Sequence, residues 1–153
     1  MHHRARDLMT PHPLTIAADT PVLEVQHLFV VANIGGAPIV DSASKVVGIL
    51  SGTDLLRISD QVHDDEIDPQ PMSSSGGARE QLEALVASDV GTSDVIWVSP
   101  DTPASQVARL MRDVGIHRVL VGDNGKLEGI LTAFDLLRAV EGIQDDRVDP
   151  DRP

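Results

Sequence analysis

Ser51 and Asp54 stand three residues apart in the stretch GILSGTDLLR, and Thr132 and Asp135 stand three apart in GILTAFDLLR. A hydroxyl and a carboxylate at that spacing can do two things. The carboxylate can accept hydrogen bonds from both hydroxyls of a vicinal diol such as ribose, with the Ser or Thr hydroxyl as a second contact, and charge-assisted bonds of this kind are the stronger ones. Ser/Thr-x-x-acid is also a capping box, in which the two side chains satisfy free amides at a helix start. The residues leave both readings open, and both can hold at once. A phosphate would need positive charge as well. His117 and Arg118 are the candidates for that role, standing together at the start of a strand-like run in GIHRVLV.

The elements that position these residues are themselves written twice. At an offset of 82, as from Thr20 to Thr102, DLMTPHPLTIAADTPVLEVQHLF lies over DVGTSDVIWVSPDTPASQVARLM, with Asp-Thr-Pro at 19–21 matching 101–103. From Gly35 onward the offset becomes 81, as from Ser51 to Thr132, which places one extra residue in the first copy's first helix or the turn after it. PLTIA and VIWVS read as short strands, each closed by Asp-Thr-Pro, where Thr20 or Thr102 can cap a helix beginning at Pro21 or Pro103. Apolar residues at Val22, Val25, Leu28 and Phe29, and at Val107, Leu110, Met111 and Val114, have the spacing of an amphipathic helix. APIV and RVLV, then VVGIL and LEGIL, read as hairpin strands around the turns DSAS and GDNGK, with second helices beginning at Ser51 and Thr132.

Each copy is therefore β-α-β-β-α, and the fold class is α+β (α/β). A unit of this size buries too small a fraction of its surface to be stable alone, so two copies are expected to pack against each other. The expected organisation is a first repeat at 1–60, an acidic and then Pro/Ser/Gly-rich linker with a short helix at 61–87, a second repeat at 88–143 and a flexible tail at 144–153. The linker is expected to be mobile from Asp64 to Gly77.

Composition narrows the function classes. The 153 residues carry 24 acidic and 12 basic side chains, a formal charge of −12, which argues against a long polyanion such as DNA or RNA but not against a mononucleotide needing one or two arginines. One Trp, two Phe and no Tyr leave no aromatic platform for stacking a nucleic-acid strand. With no cysteine, thiol chemistry is excluded and any metal site would rest on His and carboxylates. His12, His27 and His63 stand in no metal-binding spacing, and the cluster from His63 to Glu66 reads as a solvated linker that could hold a cation weakly. No run approaches the about 20 apolar residues of a membrane helix, and the N-terminus lacks the apolar core of a signal peptide, so a cytoplasmic protein without membrane contact is expected. No phosphate loop, nucleophile elbow or matched acid/base pair points to an enzyme.

In RDLMT at 6–10, SPDTP at 99–103, GIHRVLV at 115–121 and the two GIL-[Ser/Thr]-x-x-Asp-Leu-Leu stretches, the chain resembles the tandem cystathionine-beta-synthase (CBS) domain pair, or Bateman module. The resemblance implies two repeats about a pseudo-twofold axis, two clefts between them, frequent dimerisation, and an adenine-containing regulatory ligand: AMP, ADP, ATP or S-adenosylmethionine. It makes Ser51, Asp54, Thr132 and Asp135 ribose contacts, and likens His117 and Arg118 to a His-Arg pair that contacts phosphates. Acting across the repeats as in that family, the pair would serve the cleft of Asp54, while the first copy, with Gly36 and Ala37 at those positions, would leave the cleft of Asp135 without a clamp. Adenine would lie on the first strand of each repeat, at Thr15 and Ile16 or at Val98 and Ser99. Arg109 and Arg112 could assist, although a solvated helix face explains them equally. Many members carry a basic residue just before the motif aspartate; here Thr53 and Phe134 stand there, which favours a monophosphate over a triphosphate. The reading that follows is a regulatory module, requiring no cofactor, homodimeric, that binds an adenine nucleotide and signals to an unidentified protein partner. The competing reading is a ligand-free interaction or oligomerisation module whose repeated motifs are caps; a weak metal response through the acidic linker is a third.

Overall fold

The computed structural model describes residues 3–64 and 77–145. In chain order its elements are α1 (Ala5–Leu8), β1 (Thr10–Pro11), β2 (Ile16–Ala17), α2 (Val22–Ala32), β3 (Gly36–Val40), β4 (Val46–Ser51), α3 (Gly52–Asp64), α4 (Gly77–Ala84), α5 (Ala87–Val90), β5 (Trp97–Val98), α6 (Ala104–Val114), β6 (Arg118–Asp123), β7 (Lys126–Thr132) and α7 (Ala133–Asp145). The β-α-β-β-α pattern is present in both halves, preceded each time by a one-turn helix that the periodicity did not announce.

These elements form two compact units that do not coincide with the sequence repeats. One is Leu14–Asp94; the other joins the chain up to Pro13 to the chain from Val95 onward. In the first unit, β2 runs parallel to β3, which pairs antiparallel with β4. Ile16, Val22, Val25, Phe29, Ile39 and Leu50 fill its core. In the second, β1, β7, β6 and β5 form one sheet in that order, over a core of Leu8, Val98, Val107, Met111, Val119, Val121 and Leu131. Both ends of the segment 65–76, which itself lies outside the described residues, attach to helices of the unit Leu14–Asp94, so the acidic stretch is an insertion within that unit. The stretch expected to be mobile lies outside the described residues, except for its ends, Asp64 and Gly77, which fall in α3 and α4.

Each leading segment satisfies backbone groups that its new neighbours cannot satisfy themselves. The first amides of a helix have no partner within it. Thr20 and Thr102 were expected to supply one, but Pro21 and Pro103 occupy the cap positions, and neither cap makes a side-chain hydrogen bond. Carbonyls from the leading segments take the role instead: Val22 N–H donates to Leu85 O at 3.0 Å, and Ala104 N–H to His3 O at 2.9 Å. In return Ala87 N–H donates to Thr20 O and Ala5 N–H to Thr102 O, both at 2.8 Å. The one-turn helices close on themselves in the same way, with Asp7 Oδ2 accepting from Arg4 N–H at 2.7 Å and Asp89 Oδ2 from Val86 N–H at 3.0 Å.

The change of offset lies later than the sequence suggested. α2 and α6 are both 11 residues long and end on equivalent left-handed caps, Asn33 and Gly115. Strand register continues the equivalence: Gly36 pairs with Ser51 as Arg118 pairs with Thr132, and Val40 with Val46 as Gly122 with Leu127. The extra residue sits in the hairpin turn. Asn124 and Gly125, both at positive φ, form the two-residue turn of the second copy. The longer first turn is held by Asp41, whose Oδ1 accepts from Ala43 and Lys45 N–H at 2.9 Å each. The residues equivalent to His117 and Arg118 are therefore Gly35 and Gly36, one position earlier than the sequence comparison put them, and the first copy still lacks the cation.

Leu8 is 3% exposed in the second unit's core. Leu8→Ala is expected to cost about 2–5 kcal/mol. Amide hydrogen exchange should accelerate in β5, β6, β7 and α6 while β2, β3 and β4 keep their protection.

Candidate functional site

The repeated stretch begins with a glycine because backbone passes over it. A side chain at Gly48 would meet the carbonyl oxygen of Thr92 at 2.8 Å, and one at Gly129 would meet that of Thr10 at 2.9 Å. Thr92 and Ile49 exchange both backbone hydrogen bonds at 2.9 Å, and Thr10 takes the equivalent place opposite Ile130. Ile-Leu continues the strand, with Leu50 and Leu131 fully buried, and the strand then hands over to a helix at Ser51 or Thr132.

At that handover the two copies make the same three bonds. Ser51 N–H and Oγ–H donate to Asp54 Oδ2 at 2.8 and 2.7 Å, and Asp54 N–H donates to Ser51 Oγ at 3.4 Å. Thr132 N–H and Oγ1–H donate to Asp135 Oδ2 at 2.8 and 2.7 Å, and Asp135 N–H to Thr132 Oγ1 at 3.2 Å. These are complete capping boxes, with an acidic group in the first turn where the helix dipole favours it. All the capping bonds fall on Oδ2. Asp54 Oδ1 lies 3.7 Å from Arg57 Nη1, and Asp135 Oδ1 accepts no hydrogen bond among the described residues. Cap and ligand contact can therefore use different oxygens of one carboxylate.

Arg118 is half-buried at the head of β6, in register with Thr132, and His117 beside it is exposed. His117 also serves through its backbone, its carbonyl accepting Ala133 N–H at 2.8 Å at the start of α7. Asp54, to which the resemblance assigned the pair, belongs to the other unit; in its own unit Arg118 has the Thr132 motif as its strand neighbour. Of the adenine candidates, Ile16 and Val98 turn their side chains into the two cores. Thr15 is exposed and Ser99 half-buried, with Ser99 Oγ accepting Asp101 N–H at 3.4 Å. Arg109 and Arg112 are exposed on α6, and Arg112 pairs with Asp113 at 2.7 Å. Among the described residues no group of three or more His, Asp and Glu could hold a metal ion, and no helix is long and apolar enough to cross a membrane.

The sequence did not announce an apolar cleft of about 320 Å³ between α2 and α3, floored by Phe29 and Leu55 and rimmed by Val30 and Leu56. Its signal was the excess of apolar residues on α2, where Val30 and Val31 fall outside the buried face.

The family model of the CBS domain matches residues 5–60 and 87–142. Uncharacterized protein MJ1225 of Methanocaldococcus jannaschii is 27% identical over 134 residues, 87% of this chain and 41% of that one. MJ1426 of the same organism is 29% identical over 151 residues, 88% of this chain and 89% of that one. The chain thus spans less than half the length of the first of these relatives and most of the second. Among solved structures, the crystal structure of CBSX2 in complex with AMP superposes with a TM-score of 0.73 at 26% identity, covering 93% of this chain and 98% of that one.

Loss of a cap costs stability whether or not a ligand binds. Asp54→Ala and Asp135→Ala are each expected to lower the unfolding free energy by about 1 kcal/mol without any ligand, and the Asn variants by less. Urea denaturation of the ligand-free protein measures this.

Proposed function

This chain belongs to the CBS domain family, with two copies of the domain, and we propose that it is a cytoplasmic regulatory module that binds an adenine nucleotide and passes the resulting change to a protein partner. The observation that carries this reading is the division of labour on the motif aspartates, where Oδ2 is spent on the helix and Oδ1 is left to accept from a ribose. Ser51, Asp54, Thr132 and Asp135 are the proposed ribose contacts, and His117 and Arg118 the proposed phosphate contacts. Adenine would meet the backbone around Thr15, Ile16, Val98 and Ser99, since the side chains of Ile16 and Val98 are committed to packing. Because Gly35 and Gly36 replace the His-Arg pair in the first copy, one phosphate-bearing ligand per chain is proposed, with the other motif empty or taking an uncharged one. The AMP found with CBSX2 supports a monophosphate as the first ligand to try.

A ligand can shift this protein between states only by its differential affinity for them. The shift would act on a partner through surfaces that include apolar side chains left in water: Val30 is 80% exposed, Leu56 67% and Phe134 77%. Such side chains also support a homodimer. The complete capping boxes favour one competing reading, an interaction module in which both motifs are caps and no nucleotide binds.

Thermal unfolding against AMP, ADP, ATP and S-adenosylmethionine separates these. Ligand at a hundredfold excess over Kd should add about 2.7 kcal/mol of stability. Arg118→Ala should remove the AMP effect, and so should Ala at whichever motif aspartate holds the ribose; no shift with any of the four would leave the interaction module. Sedimentation should show a dimer that Leu56→Asp or Phe134→Asp weakens, and a monomeric wild-type chain would exclude the homodimer.

A further inference from the structure

We propose that Arg57 is a latch on the first motif: it engages the Asp54 oxygen that the helix cap leaves over, and so makes Asp135 the stronger of the two diol acceptors. This rests on the reading of the motifs as ribose contacts. The two copies share Asp-Leu-Leu-Arg letter for letter, so the sequence predicts the same Asp-Arg pairing in both helices. Their side chains are arranged differently. In the first copy Arg57 Nη1 lies 3.7 Å from Asp54 Oδ1, across one turn of α3. The arginine side chain is 75% exposed and that of the aspartate only 15%, so the cation stands on the more solvent-exposed side of the pair. In the second copy Arg138, at the same offset, makes no ion pair with Asp135 among the described residues.

A diol donates two hydroxyl protons, and a guanidinium already beside Oδ1 competes for the same lone pairs and offsets the charge that strengthens those bonds. An exposed pair is weak, so its effect on a competing ligand is about 2- to 5-fold and not an all-or-none block. The cation would help an anionic ligand and hinder a neutral one, which makes uncharged adenosine the discriminating probe.

The experiment is calorimetric titration of the full chain with adenosine in an Asp135→Asn background, which keeps an oxygen for the second cap, with and without Arg57→Ala. Removing Arg57 should tighten adenosine about 2- to 5-fold, and Arg57→Gln should do the same. The gain should shrink with 2′-deoxyadenosine, which lacks one of the two hydroxyls. Unchanged or weaker binding after removal of Arg57, while the wild-type chain binds adenosine or AMP, would overturn the latch and leave the nucleotide-binding reading standing. No binding of adenosine or AMP by the wild-type chain or by any variant would overturn both.

Discussion

The leading segment of each unit is placed by where the first amides of α2 and α6 find their partners. Proline at both cap positions rules out a Ser, Thr or Asp cap there, and an unpaired buried amide is costly. The partners are carbonyls of distant chain, Leu85 and His3, and to reach them each leading segment must run across the sheet edge of the unit it serves. That route puts Thr92 and Thr10 over Gly48 and Gly129, and buries Ala87 and Ala5 completely. Much of what looks like a signature in the sequence is the steric record of this one crossing.

Strand and helix meet at the end of the same β-strand, and the capping box there has a chemical by-product. A carboxylate has two oxygens, and a cap needs one. Folding therefore positions a second acceptor, on a carboxylate held through Oδ2 by bonds of 2.8 and 2.7 Å, at no extra conformational cost. A site built from a stabilising element is preorganised in this sense, and it also means that stability and binding cannot be separated by deleting the aspartate alone.

The repeats share their backbone and differ in their side chains. Arg118 faces Thr132 where Gly36 faces Ser51; Phe134 stands where the first copy has Thr53; Arg112 and Val140 replace Val30 and Ser59 beside the cleft between α2 and α3. The capping Ser/Thr and Asp, the glycines under the crossing backbone and the buried Leu50 and Leu131 are alike in the two copies, whereas these positions have diverged. Two frames of the same construction thus present a cationic motif in one unit and an apolar cleft in the other.

The duplication, the β-α-β-β-α order and the motif residues were legible in the sequence, because periodicity and capping are local and a repeat tests each assignment against its copy. The family likeness followed from the same residues. Tertiary structure decided what depends on distant chain. It capped α2 and α6 by backbone instead of threonine, and moved the extra residue from the first helix or the turn after it into the hairpin turn, a place that strand register fixes and a change of offset alone does not. It also gave the leading segment up to Pro13 to the second repeat's unit and the acidic insertion to the first. The ion pairing of Asp54 belongs here too: Asp-Leu-Leu-Arg is common to both motifs, and the placement of the arginine in space is what differs between them.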